Sequence, residues 1–298
     1  MGTVTGTAMA ASVSAATGSS MRAARRSGPL RRCEPSRRVP SRRVAAWAGA
    51  ADNANAGKRV VVLGGNGFVG SAVCSALLDS GFEVASLSRS GPPQARADAR
   101  SGFTDAAVRD RVEWLKGDVF DQETARNAFR GAWAVVSCIG GFGSNEQMLK
   151  VCGEATSEAA RCAKEAGVSR FGFVSVHDFR LPNFLADSVG YFKGKAAAER
   201  SVLDLFPEGS FILRPGFIYG TRLVNGLAVP LEAVGEPLER LTRSGPLAGL
   251  RKLNLPLSEV ALAPPVAVGS VAKSVSRCLE AREAPGGRVL ALDDIAAM

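Results

Sequence analysis

The sequence predicts an α/β fold, a doubly wound parallel sheet covered on both faces by helices. Three observations predict it. Short apolar runs recur without polar alternation, stretches of helical period separate them, and a glycine-rich turn joins the first run to the first helix. Unbroken apolar runs suit strands buried on both faces. Strict alternation of strand and helix builds parallel sheet through crossover connections.

Folding signals begin at Lys58. Residues 59–63 (Arg-Val-Val-Val-Leu) read as the first strand, and Val69, Val73, Ala76 and Leu77 mark one face of the first helix, which Gly81 ends. Further strands are expected at 84–87, 112–115, 133–138, 171–176 and 211–213. Between them lie a polar loop at 90–110 and helices at 122–130, 146–166 and 191–206. In the longest helix, Met148, Cys152, Ala155, Ala159, Cys162 and Ala166 step by four and three along one face. The last 84 residues are rich in Pro, Gly and Leu and are read as a small lid, about 221–298, on a domain spanning 58–298. The Leu- and Pro-rich stretch 223–268 is the expected docking surface.

The net charge is +9, but it is unevenly placed. Residues 1–57 hold nine Arg against Glu34 and Asp52 and so contribute +7. The remainder is close to neutral, which excludes a basic nucleic-acid surface as the explanation. The leader is rich in Ala, Ser and Thr, has no acid before Glu34 and lacks the apolar block of a secretory signal. It reads as a disordered transit peptide cleaved between Val44 and Lys58, for a chloroplast or alternatively a mitochondrion. Six cysteines form no C-x-x-C pair, and none lies near the single histidine, His177, so no metal site is expected. No stretch approaches the roughly 20 apolar residues of a membrane span, so any membrane association is expected to be peripheral.

The chemistry-bearing motif is Gly64-Gly65-Asn66-Gly67-Phe68-Val69-Gly70, placed between a buried strand and a helix. Gly64 permits the turn, Gly67 lets backbone approach a pyrophosphate, and Gly70 lets helix and strand pack closely; this is the Rossmann fingerprint. The helix start offers free N–H groups and partial positive charge to the phosphates. The second strand ends in Ser88-Arg89-Ser90, where NAD sites carry an acid for the ribose. Arg89 instead suits a 2′-phosphate, with Ser88 and Ser90 as further donors, so NADP(H) is expected over NAD(H). Asp118 and Val119 end the third strand on the adenine side. Cys138, Ile139 and Gly140 end the fourth, where small residues leave room for the cofactor. Tyr191 and Lys195 lie one helical turn apart, on the face continued by Ala198, Val202 and Leu205. Lys195 therefore points inward, unlike Lys193, and needs a partner there; a cofactor ribose would serve.

These segments, with Ser175 and the run Leu213 to Gly220, resemble the atypical short-chain dehydrogenases/reductases. The similarity lies in the branch containing the Rossmann-type accessory subunit of respiratory complex I. Within that branch the chain is similar to a plastid-targeted plant group associated with plastoglobules and to fungal mitochondrial proteins tied to coenzyme Q synthesis. The resemblance covers roughly residues 58–283. It implies that Tyr191 is the acid/base, that Lys195 binds the ribose and lowers the Tyr191 pKa, and that Ser175 orients a carbonyl. It also implies cofactor contacts from Pro215, Gly216, Phe217 and Ile218. Cys152 stands where many relatives have Asn, a departure at the proton relay. Two functions follow as expectations. One is an NADP(H)-dependent oxidoreductase acting on a hydrophobic carbonyl, quinone- or lipid-related compound. The other is a catalytically silent cofactor-binding assembly factor of a membrane-associated protein complex.

Overall fold

The computed structural model describes residues 54–93, 106–179, 189–224, 227–243, 262–281 and 286–297. Residues 1–53 of the leader read as a transit peptide lie outside them, while its last residues belong to the fold: Asn55 is buried, and its Nδ2 donates to the Ser80 carbonyl (3.0 Å). Seven parallel strands form the sheet: β1 (Arg59–Leu63), β2 (Glu83–Ser88), β3 (Glu113–Lys116), β4 (Ala134–Ser137), β5 (Arg170–Val174), β6 (Ser210–Leu213) and β11 (Arg288–Leu290). Their order is β11-β6-β5-β4-β1-β2-β3. The chain reverses direction of winding between β1 and β4, the point where open α/β sheets bind ligands at their carboxyl ends. Val60, Val61, Val62 and Leu63 are wholly buried, as expected for a strand covered on both faces.

Helix α1 (Phe68–Asp79) follows β1, α3 (Gln122–Phe129) follows β3 after the short α2 (Ala106–Arg109), and α6 (Gly190–Leu205) precedes β6. Asp121 caps α3 by accepting from the Glu123 and Thr124 amides; the Thr124 hydroxyl bond first, and these amide bonds after it, hold its carboxyl below the usual range. After β4 a capping box at Ser144 starts the next helix.

That next helix departs from the expected single element at 146–166. It comprises α4 (Asn145–Leu149), a π-helical turn (Lys150–Glu154) and α5 (Ala155–Glu165). The reason is tertiary. A Cβ on Gly153 would lie 2.8 Å from Gly194 Cα, and one on Gly190 would lie 2.1 Å from the Asn145 carbonyl. Glycines thus let α6 cross this helix at backbone contact, and the π turn widens the helix at the crossing. Cys152 keeps its expected place on the buried face, and its Sγ donates to the Gly141 carbonyl (3.3 Å).

The segment read as a lid is in good part core. Helix α8 (Val268–Glu280) packs against α1, and β11 adds the edge strand beside β6. Val271, Val275, Leu279, Leu290, Leu292 and Ile295 share one buried cluster with Val60 and Leu77. Arg170 at the start of β5 donates to the Cys278, Leu279 and Ala281 carbonyls, satisfying the end of α8. Outside the sheet stand a parallel pair, β7 (Ile218–Tyr219) with β10 (Val266–Ala267), and a hairpin of β8 (Thr221–Val224) and β9 (Leu227–Pro230). Helix α7 (Glu232–Arg243) rests on β7 through Gly235, where a Cβ would lie 2.3 Å from the Tyr219 ring. Residues 244–261 of the expected docking surface lie outside the described residues. A final short helix, α9, spans Leu292–Ala296.

Candidate functional site

A cavity of about 390 Å³ opens at the carboxyl ends of β1 to β4. Four of its walls were expected: Gly64, Asn66 and Gly67 of the glycine turn; Ser88, Arg89 and Ser90 after β2; Asp118 and Val119 after β3; Cys138, Ile139 and Gly140 after β4. Five lining residues were not singled out from the sequence: Leu87, Gly117, Phe120, Val151 and Ala155. Val151 and Ala155 reach the cavity from the π turn and the start of α5. Gly153 was the only sequence signal for that turn. Phe120 forms a lip with Lys150, whose ammonium lies 5.2 Å from the ring centroid.

The glycines divide the work. Gly64 adopts φ +77°, and a Cβ there would touch the Cys138 carbonyl at 3.4 Å. A Cβ on Gly70 would lie 2.2 Å from the Gly64 carbonyl, so this glycine closes the turn onto the helix. Gly65 faces Ser86, behind the wall, where a Cβ would lie 2.4 Å from its Oγ. Gly67 is exposed at the start of α1 and meets only the Gly64 carbonyl, leaving its outer side open. Phe68 and Val69 continue α1 and are half-buried. An open glycine at a helix N-terminus facing a cavity of this size fits the pyrophosphate and adenosine of a dinucleotide.

The second-strand end is held closely. The Ser88 carbonyl accepts from the Gly91 amide (3.2 Å) and the Gly117 amide (3.0 Å), forming a turn of residues 88–91 tied to the end of β3. Arg89 stands exposed on this turn, lines the cavity and has no ion partner among the described residues. Asp118 accepts from the Phe120 amide (3.1 Å), which fixes its loop.

Beside the cavity sits the group expected to do chemistry. Lys195 is buried and inward and Lys193 is exposed, as the helical stripe required. The partner of Lys195 differs from expectation. Its Nζ donates to the Ile139 carbonyl (3.0 Å) and the Val174 carbonyl (2.7 Å), bridging the ends of β4 and β5. The Phe173 ring lies 4.6 Å away. Burial pushes the ammonium down to about 8. Tyr191 is pushed up to about 12, by burial first and the neighbouring Cys152 second. Burial thus acts against the lowering that the resemblance implied for Tyr191, while Lys195 is engaged by carbonyl oxygens. The Tyr191 ring stacks with Phe142 at 5.2 Å between centroids. Ser175 follows β5, and its buried Oγ has no hydrogen-bond partner among the described residues.

The segment Pro215 to Ile218 does not reach the cavity wall. Gly216 packs near Leu292 and the Pro264 carbonyl, Phe217 is exposed, and Ile218 belongs to β7. The residue before it was missed. Arg214 Nε donates to both oxygens of the buried Glu199 at 3.1 Å, which holds the guanidinium charge up. The sequence signal was faint: Glu199 lies one turn beyond Lys195 on the same face.

Cys138 is the half-buried thiol on the cavity wall, and its low-dielectric surroundings push it up to about 12. Among the described residues no group of His, Cys, Asp and Glu could hold a metal ion.

The family described as NAD(P)H-binding matches residues 64–219, from the glycine turn to β7. The chain belongs to this family. It is 48% identical over 218 residues to "Uncharacterized protein At1g32220, chloroplastic" of Arabidopsis thaliana, covering 73% of this chain and 70% of that protein. It is 28% identical over 171 residues to "Protein FMP52, mitochondrial" of Meyerozyma guilliermondii, covering 55% and 66% respectively. Among solved structures it is similar to UDP-glucuronic acid 4-epimerase from Bacillus cereus in complex with NAD. There the TM-score is 0.55 at 15% identity, over 78% of this chain and 76% of that one. That likeness shows the Rossmann-like fold.

Proposed function

We propose that this NAD(P)-binding protein is an NADP(H)-dependent oxidoreductase acting on a hydrophobic carbonyl, quinone- or lipid-related compound in an organelle. The observation that carries the cofactor choice is Arg89: a cation without an ion partner, on the cavity wall, at the strand end where an acid would favour NAD(H). Bound reduced cofactor supplies a hydride to the carbonyl carbon. Tyr191 holds the proton for the carbonyl oxygen, and the unpartnered Ser175 hydroxyl is a donor for the same oxygen. Lys195 bridges the ends of β4 and β5 beside the site and is the cation assigned to the ribose.

A second reading is a cofactor-binding assembly factor without turnover. It is favoured by a phenol pushed up to about 12 beneath Phe142 and a lysine already bound to two carbonyls. Complementation of a strain lacking the gene with Tyr191→Phe, beside a fluorescence titration of NADPH on that variant, separates the readings. Failure to complement with normal NADPH binding supports the enzyme; full rescue supports the assembly factor.

The chloroplast is the proposed location, supported by the leader and by the chloroplastic name of the Arabidopsis relative; the fungal relatives favour a mitochondrion as the alternative. Among the described residues no helix is long and apolar enough to cross a membrane. Peripheral docking to a membrane-associated partner is supported by α7, which exposes Val234, Leu238 and Leu241 on one face.

A further inference from the structure

Asn66 lies third in the glycine turn, where a side chain would be expected to meet the pyrophosphate. Its amide is committed elsewhere. Nδ2 donates to the Gly91 carbonyl at 2.7 Å and to Ser90 Oγ at 3.3 Å, across 25 and 24 residues of sequence. Oδ1 is buried and has no partner. Turning the amide over would set that oxygen against the Gly91 carbonyl, acceptor against acceptor, so the orientation is fixed by the turn. Leaving a buried acceptor unpaired is costly, and it is tolerated here by a residue that gains two bonds to the turn bearing Arg89.

The rest of that turn is braced too. Ser88 Oγ donates to the same Gly91 carbonyl (3.0 Å), so two donors converge on one oxygen. Gly91 adopts φ +72°, which favours glycine, and a Cβ there would lie 3.1 Å from the Lys116 side chain. The base of the turn is fixed by the Ser88 carbonyl, which accepts from the Gly91 and Gly117 amides. Its cavity side is held by Asn66 alone among the side chains of the glycine turn. Among the described residues Arg89 has no ion partner that would hold it in place.

We infer that Asn66 is a positioning residue for cofactor selection: it locks the turn of residues 88–91 so that Arg89 and Ser90 present a ready-made site for the adenosine 2′-phosphate. The inference rests on the NADP(H) reading. A long, flexible Arg loses less freedom on binding when its backbone is already fixed, so the brace increases affinity for the ligand that Arg89 contacts. A ligand without the 2′-phosphate gains nothing from it.

Calorimetric titration of NADPH and NADH on wild type, Arg89→Ala, Asn66→Ala and the double variant tests this. Arg89→Ala should weaken NADPH about tenfold or more and NADH less than about twofold. Asn66→Ala should weaken NADPH about five- to tenfold, with NADH again nearly unchanged. In the Arg89→Ala background the Asn66→Ala loss should shrink below about twofold, because the brace has nothing left to position. Asn66→Asp, isosteric but unable to donate, should lose NADPH more strongly than Asn66→Ala, and circular dichroism reports that its fold is intact, since a carboxylate in the glycine turn also repels the pyrophosphate of NADH. Equal losses of both cofactors in Asn66→Ala would overturn the inference and make Asn66 a pyrophosphate contact, as would full additivity in the double variant. An NADPH preference unaltered by Arg89→Ala would overturn the NADP(H) reading and the brace with it. Preference lost with Arg89→Ala but kept with Asn66→Ala would overturn the brace alone.

Discussion

The two halves of the carboxyl edge are finished differently. Along β1 to β4 the wall is open: an exposed glycine at a helix start, a cation without an ion partner on a braced turn, and a cavity of about 390 Å³. At β5 and α6 the groups are closed: Lys195 spans two carbonyls, Tyr191 lies against Phe142, and Ser175 is buried. The difference teaches that the proposed cofactor half rests on a fixed backbone turn with Arg89 upon it, whereas the proposed proton donor, Tyr191, is covered by Phe142. Breaking either half should leave the other measurable.

The largest effect is expected at the closed half. With a carbonyl substrate, Tyr191→Phe should lower turnover about a hundred- to ten-thousandfold while NADPH binding stays within about twofold. Steady-state rates beside a binding titration check this; a loss confined to binding would merge the two halves. Next comes Glu199→Ala, which leaves Arg214 without its carboxylate. A buried pair broken on one side costs about 3–5 kcal/mol, and the partial exposure of Arg214 reduces this to about 2–3 kcal/mol in denaturant unfolding. Gly70→Ala strikes the open half: backbone overlap with Gly64 should cost about 1–3 kcal/mol and weaken both cofactors alike.

The smallest effect is a pH signature. Burial lowers the Lys195 pKa from 10.5 to about 8, so between these values the unfolded chain binds more protons than the native one. Stability contributed through this group therefore rises with pH from about 8 to 10.5. Lys195→Met should remove that slope, a difference on the order of a few kcal/mol at most across the window. Equal pH slopes for the two proteins would show that burial does not lower the Lys195 pKa.

Much of the open half was legible in the sequence because it is local. The run 59–63, the turn at Gly64 to Gly70 and the end of β2 each declare themselves within a few residues. Lys195 was legible as inward because a helical stripe is also local; its partners were not, since Ile139 and Val174 come from two other strands. The π turn depends on Gly153 meeting Gly194, and the Glu199–Arg214 pair joins α6 to the residue after β6. Neither leaves a periodic trace. The last strand, Arg288–Leu290, buries only Leu290, and so carried no apolar run to read. Helix α8 shows how composition misleads: the last 84 residues are rich in Pro and Gly, yet this helix within them has no Pro and one Gly, and its apolar face fits α1.

The separation of the halves is tested most directly with the adenosine end alone. Calorimetric titration of 2′,5′-ADP and 5′-ADP should be run on wild type, Tyr191→Phe and Lys195→Met. The account predicts that 2′,5′-ADP binds all three within about twofold, and about tenfold tighter than 5′-ADP, since Arg89 supplies a charge-assisted contact of about 1.5–3 kcal/mol. Equal affinity for the two nucleotides, or loss of 2′,5′-ADP binding in Lys195→Met, would contradict it.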